Sequence, residues 1–232
     1  MAQTKMLQIE ELVKLLLDND ALLFGEFTLK SGRQSPFYFN MAKAVKNGLG
    51  FSTISATLAG YIYANFLDEK LPKDRKTDPD TLFIFGPAYK GIPLAAGVAL
   101  SLNDRFNTNV RWGFNRKEVK LHGDTDDAYL MGDIKDGDNV IILDDVITTG
   151  MTKLKARDDL ITSTGCKNLN FIGVVGLVDR FEGALELRQE INVFGVIRID
   201  SLVDLCRKRE WISDEDHARF RAYFDEHGLV QD

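Results

Sequence analysis

Cysteine is scarce in this chain of 232 residues. Cys166 and Cys206 are the only two, and no metal-ligand spacing relates them. A disulfide framework and a cysteine zinc site are thereby disfavoured, and two inert thiols in a reducing compartment are expected. Long apolar runs are missing too. Nowhere do the roughly eighteen consecutive apolar residues of a spanning helix occur. The opening stretch MAQTKMLQIEELVKLLLDND is broken by Glu10 and Glu11 and has no small-residue cleavage site, so it does not read as a secretory signal. The expectation is a cytoplasmic protein with no membrane partner. Finally, there is no basic excess: 29 Lys+Arg stand against 35 Asp+Glu, a net charge of -6. Nucleic-acid binders usually carry a basic face, so no nucleic-acid partner is expected.

What remains is an ordinary globular composition, 44% hydrophobic and 28% charged, in a chain long enough to bury a core. Leu7, Leu12, Leu15 and Leu16 share one helical stripe, which predicts an opening amphipathic helix over residues 6–18. Residues 21–40 look like short strands around a Ser31-Gly32 turn, and 50–68 returns to helix. The segment Pro72 to Asp80 is a charged loop. An alternation follows: apolar Leu82–Phe85, a helical stretch 92–102, a strand over Val110–Phe114, and a polar segment from Asn115 to Met131. Then come the apolar run Val140–Leu143, a helix over 152–164 capped by Gly165, and the apolar runs Phe171–Val178 and Val193–Ile199. Strands separated by helix-length segments imply βαβ units and a mainly parallel sheet flanked by helices. Ser213 is placed to cap a further helix running to about His227. There is no internal repeat. One domain over 1–232 is expected, with its core at about 50–200 and a small hood from about 1–45 plus C-terminal segments.

The most informative segment is Val140-Ile-Ile-Leu-Asp-Asp-Val-Ile-Thr-Thr-Gly150. An apolar strand ends at two adjacent carboxylates, Asp144 and Asp145, and a short hydroxyl-bearing loop then enters a helix. In open α/β sheets ligands bind beyond the carboxyl ends of the strands. Backbone N–H groups leading into a helix N-terminus suit a phosphate, and Thr148, Thr149 and Gly150 have the compactness for it. Paired carboxylates can hold sugar hydroxyls or magnesium and stabilise positive charge on a sugar ring. The whole eleven-residue pattern resembles the PRPP-binding signature of the type I phosphoribosyltransferases, where PRPP is 5-phosphoribosyl-1-diphosphate. Met151 stands where that family commonly has a second small hydroxyl residue, and Thr152 follows it.

Three further segments narrow the resemblance. Asn115-Arg-Lys-Glu-Val-Lys-Leu-His-Gly123 carries Arg116, Lys117, Lys120 and His122, which read as a solvated charged loop or as a cationic lid over a diphosphate. Phe85-Gly-Pro-Ala-Tyr-Lys-Gly91 is a glycine-rich bend that offers Tyr89 and Lys90. Phe27-Thr-Leu-Lys-Ser-Gly-Arg-Gln-Ser-Pro-Phe-Tyr-Phe-Asn40 combines aromatic rings with Lys30, a receptor for a flat acid or simply a hairpin whose Phe37 and Phe39 fill the core. Together these segments resemble the orotate phosphoribosyltransferases over residues 20–212.

The resemblance implies the type I phosphoribosyltransferase fold and a magnesium-dependent transfer from PRPP to orotate, giving orotidine 5'-monophosphate and diphosphate in pyrimidine biosynthesis. It assigns Asp144, Asp145, Lys120, His122 and Arg116 to catalysis. PRPP would meet Tyr89, Lys90, Arg116, Lys117, Lys120, His122, Asp144, Asp145 and the loop Val146, Ile147, Thr148, Thr149, Gly150, Met151 and Thr152. Orotate would meet Lys30, Tyr38, Phe39, Thr148 and Arg180, the last through a bidentate fork, although an ion pair with Asp179 or Glu182 is the plainer reading of that arginine. Magnesium would be held mainly by PRPP and water, with Asp144 and Asp145 as candidate ligands. A homodimer is implied, with the loop 116–123 reaching the neighbouring subunit. A purine phosphoribosyltransferase should lack the Lys30 hood and the Lys120–His122 lid pattern. A PRPP-sensing regulator that binds nucleic acid should carry a basic face.

Overall fold

The computed structural model describes residues 2–29, 32–116, 129–148, 150–182 and 185–229. A six-stranded sheet carries the molecule, in the order β5-β4-β3-β6-β7-β8. Its strands are β3 (Leu82–Phe85), β4 (Arg111–Asn115), β5 (Leu130–Met131), β6 (Asn139–Ile147), β7 (Asn170–Asp179) and β8 (Val193–Arg198). All pairings are parallel except the short β4–β5 contact at one edge. Parallel strands covered on both faces become continuous apolar runs, which is why Leu82–Phe85 was legible and is buried throughout.

Alternation along β3 and β6 sorts side chains between two cores. Leu82, Ile84, Ile141 and Leu143 face one core, with α1 (Ala2–Asp18), α3 (Gly48–Ile62) and α4 (Gly91–Phe106). Phe83, Phe85, Val140 and Ile142 face the other, with α5 (Met151–Thr164) and α6 (Leu185–Glu190). On the first face, Gly97 of α4 lies so close to Ser55 and Phe51 of α3 that a Cβ there would collide with both.

A separate antiparallel hairpin pairs β1 (Leu22–Thr28) with β2 (Gln34–Phe39), within the segment expected to build the hood. Its turn uses Gly32 at φ +83. The buried Phe37 packs on Phe220 and Tyr223 of α8 (Asp214–His227), with ring centroids 5.6 and 5.9 Å away. Ser213 caps α8 by accepting from the Asp216 N–H.

The structure departs from the sequence reading at several elements, β6 and the helix after β8 among them. β6 does not stop at the acidic pair but runs through it, because Asp144 and Val146 continue the ladder opposite Gly176 and Val178. A helix at α7 (Ile199–Lys208) was not expected, since Ile199 reads as the last residue of the apolar run before it. Ile199, Leu202, Val203 and Cys206 form its buried stripe.

Candidate functional site

The sheet order reverses direction between β3 and β6: β3 passes through α4 to β4 on one side, and β6 through α5 to β7 on the other. Ligand crevices form at such switch points, beyond the carboxyl ends of the strands. Here a cleft of about 1050 Å³ opens.

Adjacent residues of a strand point to opposite faces, so Asp144 and Asp145 each meet a different helix. Asp144 points toward α5, where Lys153 in the first turn forms an ion pair with it. Asp145 points toward α4, where Lys90, the residue before its first turn, donates to Asp145 Oδ2 at 2.9 Å. The Asp145 backbone N–H donates to Asp144 Oδ1 at 3.0 Å and the Val146 N–H to Asp145 Oδ1 at 2.9 Å, so the backbone orients each carboxyl group. Burial pushes Asp144 up to about 7, against the pull of the Lys153 ammonium and with the nearby Asp145 charge adding to the rise. For Lys90, partial burial opposes the charge. The hydrogen bond and charge of Asp145 outweigh that and hold the ammonium above its ordinary value. Lys153 is mostly covered, at 15% exposure, whereas Lys90 is 72% exposed. One lysine is built into the wall and the other lies at the cleft mouth.

The bend between β3 and α4 brings Tyr89 and Lys90 to the cleft. Gly86 and Gly91 touch backbone to backbone, leaving no space for a Cβ at either. The Ala88–Tyr89 peptide is cis, and the Ala88 N–H donates to Asn115 Oδ1 at 2.8 Å, tying this bend to the end of β4. Beyond β6, Gly150 turns the chain into α5 at φ +75. Thr148 and Thr152 flank it at the cleft, beside the positive end of the helix dipole.

The same cleft is lined by Tyr38 and Phe39 of β2, by Met41 of the short helix α2 (Met41–Ala44), and by Arg180 just past β7. The guanidinium of Arg180 sits 4.6 Å from the centre of the Phe37 ring. It also donates to Glu182 through Nε at 3.2 Å and Nη2 at 3.0 Å. The ion-pair reading of this arginine is met by Glu182, and the residue also lines the cleft.

Of the residues singled out in the sequence, the cleft brings together Tyr38, Phe39, Tyr89, Lys90, Arg116, Asp144, Asp145, Val146, Thr148, Thr152 and Arg180. Ile147 is buried in the α5-side core, and Met151 is exposed outside the lining. Lys30, Lys117, Lys120, His122 and Thr149 lie outside the described residues.

The chain matches the phosphoribosyl transferase domain over residues 44–202. The orotate phosphoribosyltransferase of Ruthia magnifica subsp. Calyptogena magnifica is 36% identical over 229 residues, covering 95% of this chain and 98% of that one. The Pseudomonas putida F1 enzyme of the same name is 37% identical over 205 residues, 88% of each chain. The chain belongs to the orotate phosphoribosyltransferases. A crystal structure of the orotate phosphoribosyltransferase of Francisella tularensis superposes with a TM-score of 0.73 at 28% identity, covering 94% of this chain and 95% of that one. Orotate phosphoribosyltransferase membership makes the chain a pentosyltransferase.

Sequence reasoning missed several lining residues. Lys153 and Lys155 lay in a stretch read only as helix, and nothing in the sequence says that the first turn of α5 folds over Asp144. Tyr129, raised to about 12 by burial and then by the Asp159 charge, lay in a segment without a core-forming period. Asn115 was read only as the start of the charged loop. Its signal is visible in hindsight: it ends a strand on the ligand side of the sheet.

Proposed function

We infer that this chain transfers the 5-phosphoribosyl group of PRPP to orotate, giving orotidine 5'-monophosphate and diphosphate in pyrimidine biosynthesis. One observation supports it above the others. An acidic pair held by two lysines, at the carboxyl end of the central strand, faces an aromatic hood and an arginine across one cleft.

The orotate ring nitrogen, entering as an anion, attacks the anomeric carbon while the bond to diphosphate breaks and the electron pair leaves with the diphosphate. Asp144 and Asp145 hold the ribose hydroxyls and favour positive charge on the ring. Thr148 to Thr152 and the first turn of α5 hold the 5'-phosphate. Lys90, Arg116, Lys117, Lys120 and His122 meet the leaving diphosphate, with Lys120 or His122 donating a proton toward it. Tyr38, Phe39 and Lys30 cover the base, and Arg180 meets its carboxylate.

Among the described residues no three metal-ligating side chains cluster into a cage. Two hard carboxylates at the cleft instead suit a magnesium ion that takes most of its ligands from phosphate and water. Bound there, with Asp144 and Asp145 beside it, the ion supplies positive charge against the diphosphate. The loop 116–123 serves the neighbouring subunit of a homodimer, and the enzyme works in the cytoplasm. No helix among the described residues is long and apolar enough to cross a membrane.

The test follows orotate absorbance after PRPP and magnesium are added to purified protein, with adenine, hypoxanthine and uracil in parallel. Consumption of orotate alone, arrested by removing magnesium, is expected. Consumption of another base would keep the donor site and overturn the reading of the hood. If PRPP bound and no base were consumed, the transferase reading would fall.

A further inference from the structure

One buried charge has no task in the transfer described above. Glu182 lies two residues beyond Arg180 in the chain and is only 4% exposed. Its carboxylate accepts from three segments of the chain. Arg33 Nη2, in the hood turn, donates at 2.5 Å. Arg180 donates through Nε and Nη2 at 3.2 and 3.0 Å. The Tyr223 hydroxyl of α8 donates at 2.9 Å. The Arg33 guanidinium also lies 5.3 Å from the centre of the Tyr223 ring. Just beyond α8 the chain closes back on this point, with the Leu229 N–H donating to the Phe181 carbonyl at 2.8 Å.

Buried carboxylates are kept only where charge and hydrogen bonds compensate them. Here, among the described residues, two guanidinium groups face one carboxylate, leaving one positive charge over. Asp179, the other nearby acid among the described residues, is taken by Arg188 at 2.6 Å. Of the two arginines, Arg180 lines the cleft and Arg33 does not. Arg180 thus carries one of the two positive charges to the cleft side, where an anionic base would enter. An arginine has several rotatable bonds, and a fork that must meet a planar carboxylate gains from being fixed in advance.

We propose that Glu182 is a positioning residue, whose carboxylate joins the hood turn and the last helix to Arg180 and fixes the Arg180 guanidinium for the carboxylate of the base. The proposal rests on the reading of Arg180 as the receptor of that carboxylate. It gives α8 and the hood turn a part in base selection without either touching the base through these residues.

Glu182→Gln keeps the shape and removes the charge. Tyr223→Phe removes a single donor from the far side of the carboxylate. Arg180→Met removes the receptor. For each full-length variant, KM for orotate, KM for PRPP, kcat and the thermal midpoint are measured. A hydrogen bond to a charged group supports an expected rise of about tenfold or more in orotate KM for Glu182→Gln, with PRPP KM within about twofold of the parent. Tyr223→Phe should shift orotate KM the same way by a smaller factor, and it carries the test if Glu182→Gln fails to fold. Orotate KM unchanged in the glutamate and tyrosine variants but raised in Arg180→Met would overturn the proposal alone. Orotate KM unchanged in Arg180→Met would remove the reading of Arg180 beneath it. Equal rises in both KM values with a lowered midpoint would show mere structural support and would also sink the proposal.

Discussion

Asp144 and Asp145 are neighbours in the chain and yet live in different surroundings, because a strand sends them to opposite faces of the sheet. Asp145 meets the exposed Lys90, and Asp144 meets the covered Lys153. With burial holding Asp144 at about 7, the carboxylate proposed to hold the ribose is lost on modest acidification. In the free enzyme kcat/KM for PRPP should fall as pH drops below about 7. Lys153→Met removes a cause that lowers this value, so a pH–rate profile should show its acid limb moved to higher pH; an unmoved limb would detach Lys153 from Asp144. Stability runs the other way. The folded carboxyl holds its proton more tightly than the unfolded one, so between 3.8 and about 7 the native state binds more protons. The contribution of this group to stability therefore declines as pH rises through that window. Urea unfolding of Asp144→Asn and the parent across this range should show the variant gaining relative stability with rising pH, and parallel curves would refute the assignment.

Among elements, the turn into α5 carries the sharpest constraint. Gly150 sits at φ +75, and a Cβ there would run into the Leu187 side chain of α6. Gly150→Ala thus combines left-handed backbone strain of about 1–2 kcal/mol with a steric shift of the phosphate turn. PRPP KM should rise by about tenfold or more, with a fall of a few degrees in the thermal midpoint. Unchanged PRPP KM would mean that the turn does not grip the donor. How far the sequence disclosed these elements depended on burial. β3 lies wholly in the interior and was bounded correctly by its apolar residues and the following Gly86-Pro87. β6 was cut short because two aspartates look like a strand end, although the ladder to β7 continues through them. α7 was overlooked because its residue before the first turn, Arg198, makes no side-chain cap and leaves no local start signal. In the site, the acidic pair and the hood aromatics were legible from motif order. The parts played by Lys153 and Glu182 were not, since each depends on a partner that only the folded chain brings near.

At the scale of the molecule, the proposed transfer divides between donor groups on the strand ends of the sheet and base groups on the hairpin and beside α8. The proposed sharing of loop 116–123 between subunits can be tested by complementation. Lys120→Ala and Asp145→Asn should each be nearly inactive alone. Co-expressed, randomly mixed dimers should recover up to about a quarter of parental activity, because half the dimers are mixed and each restores one of two sites. Mixed dimers without recovered activity would place the whole site within one chain.

The Glu182 joint also sets an order of events during synthesis. Lys90 and Asp145 are 55 residues apart, and Lys153 follows soon after. Arg33 and Glu182 are 149 residues apart, and Tyr223 comes 41 residues later still. A chain emerging from the ribosome therefore has every partner of its acidic pair well before the carboxylate of Glu182 can collect its last donor. On the proposed role of Glu182, the groups that fix the base are complete in the chain later than those that hold the acidic pair.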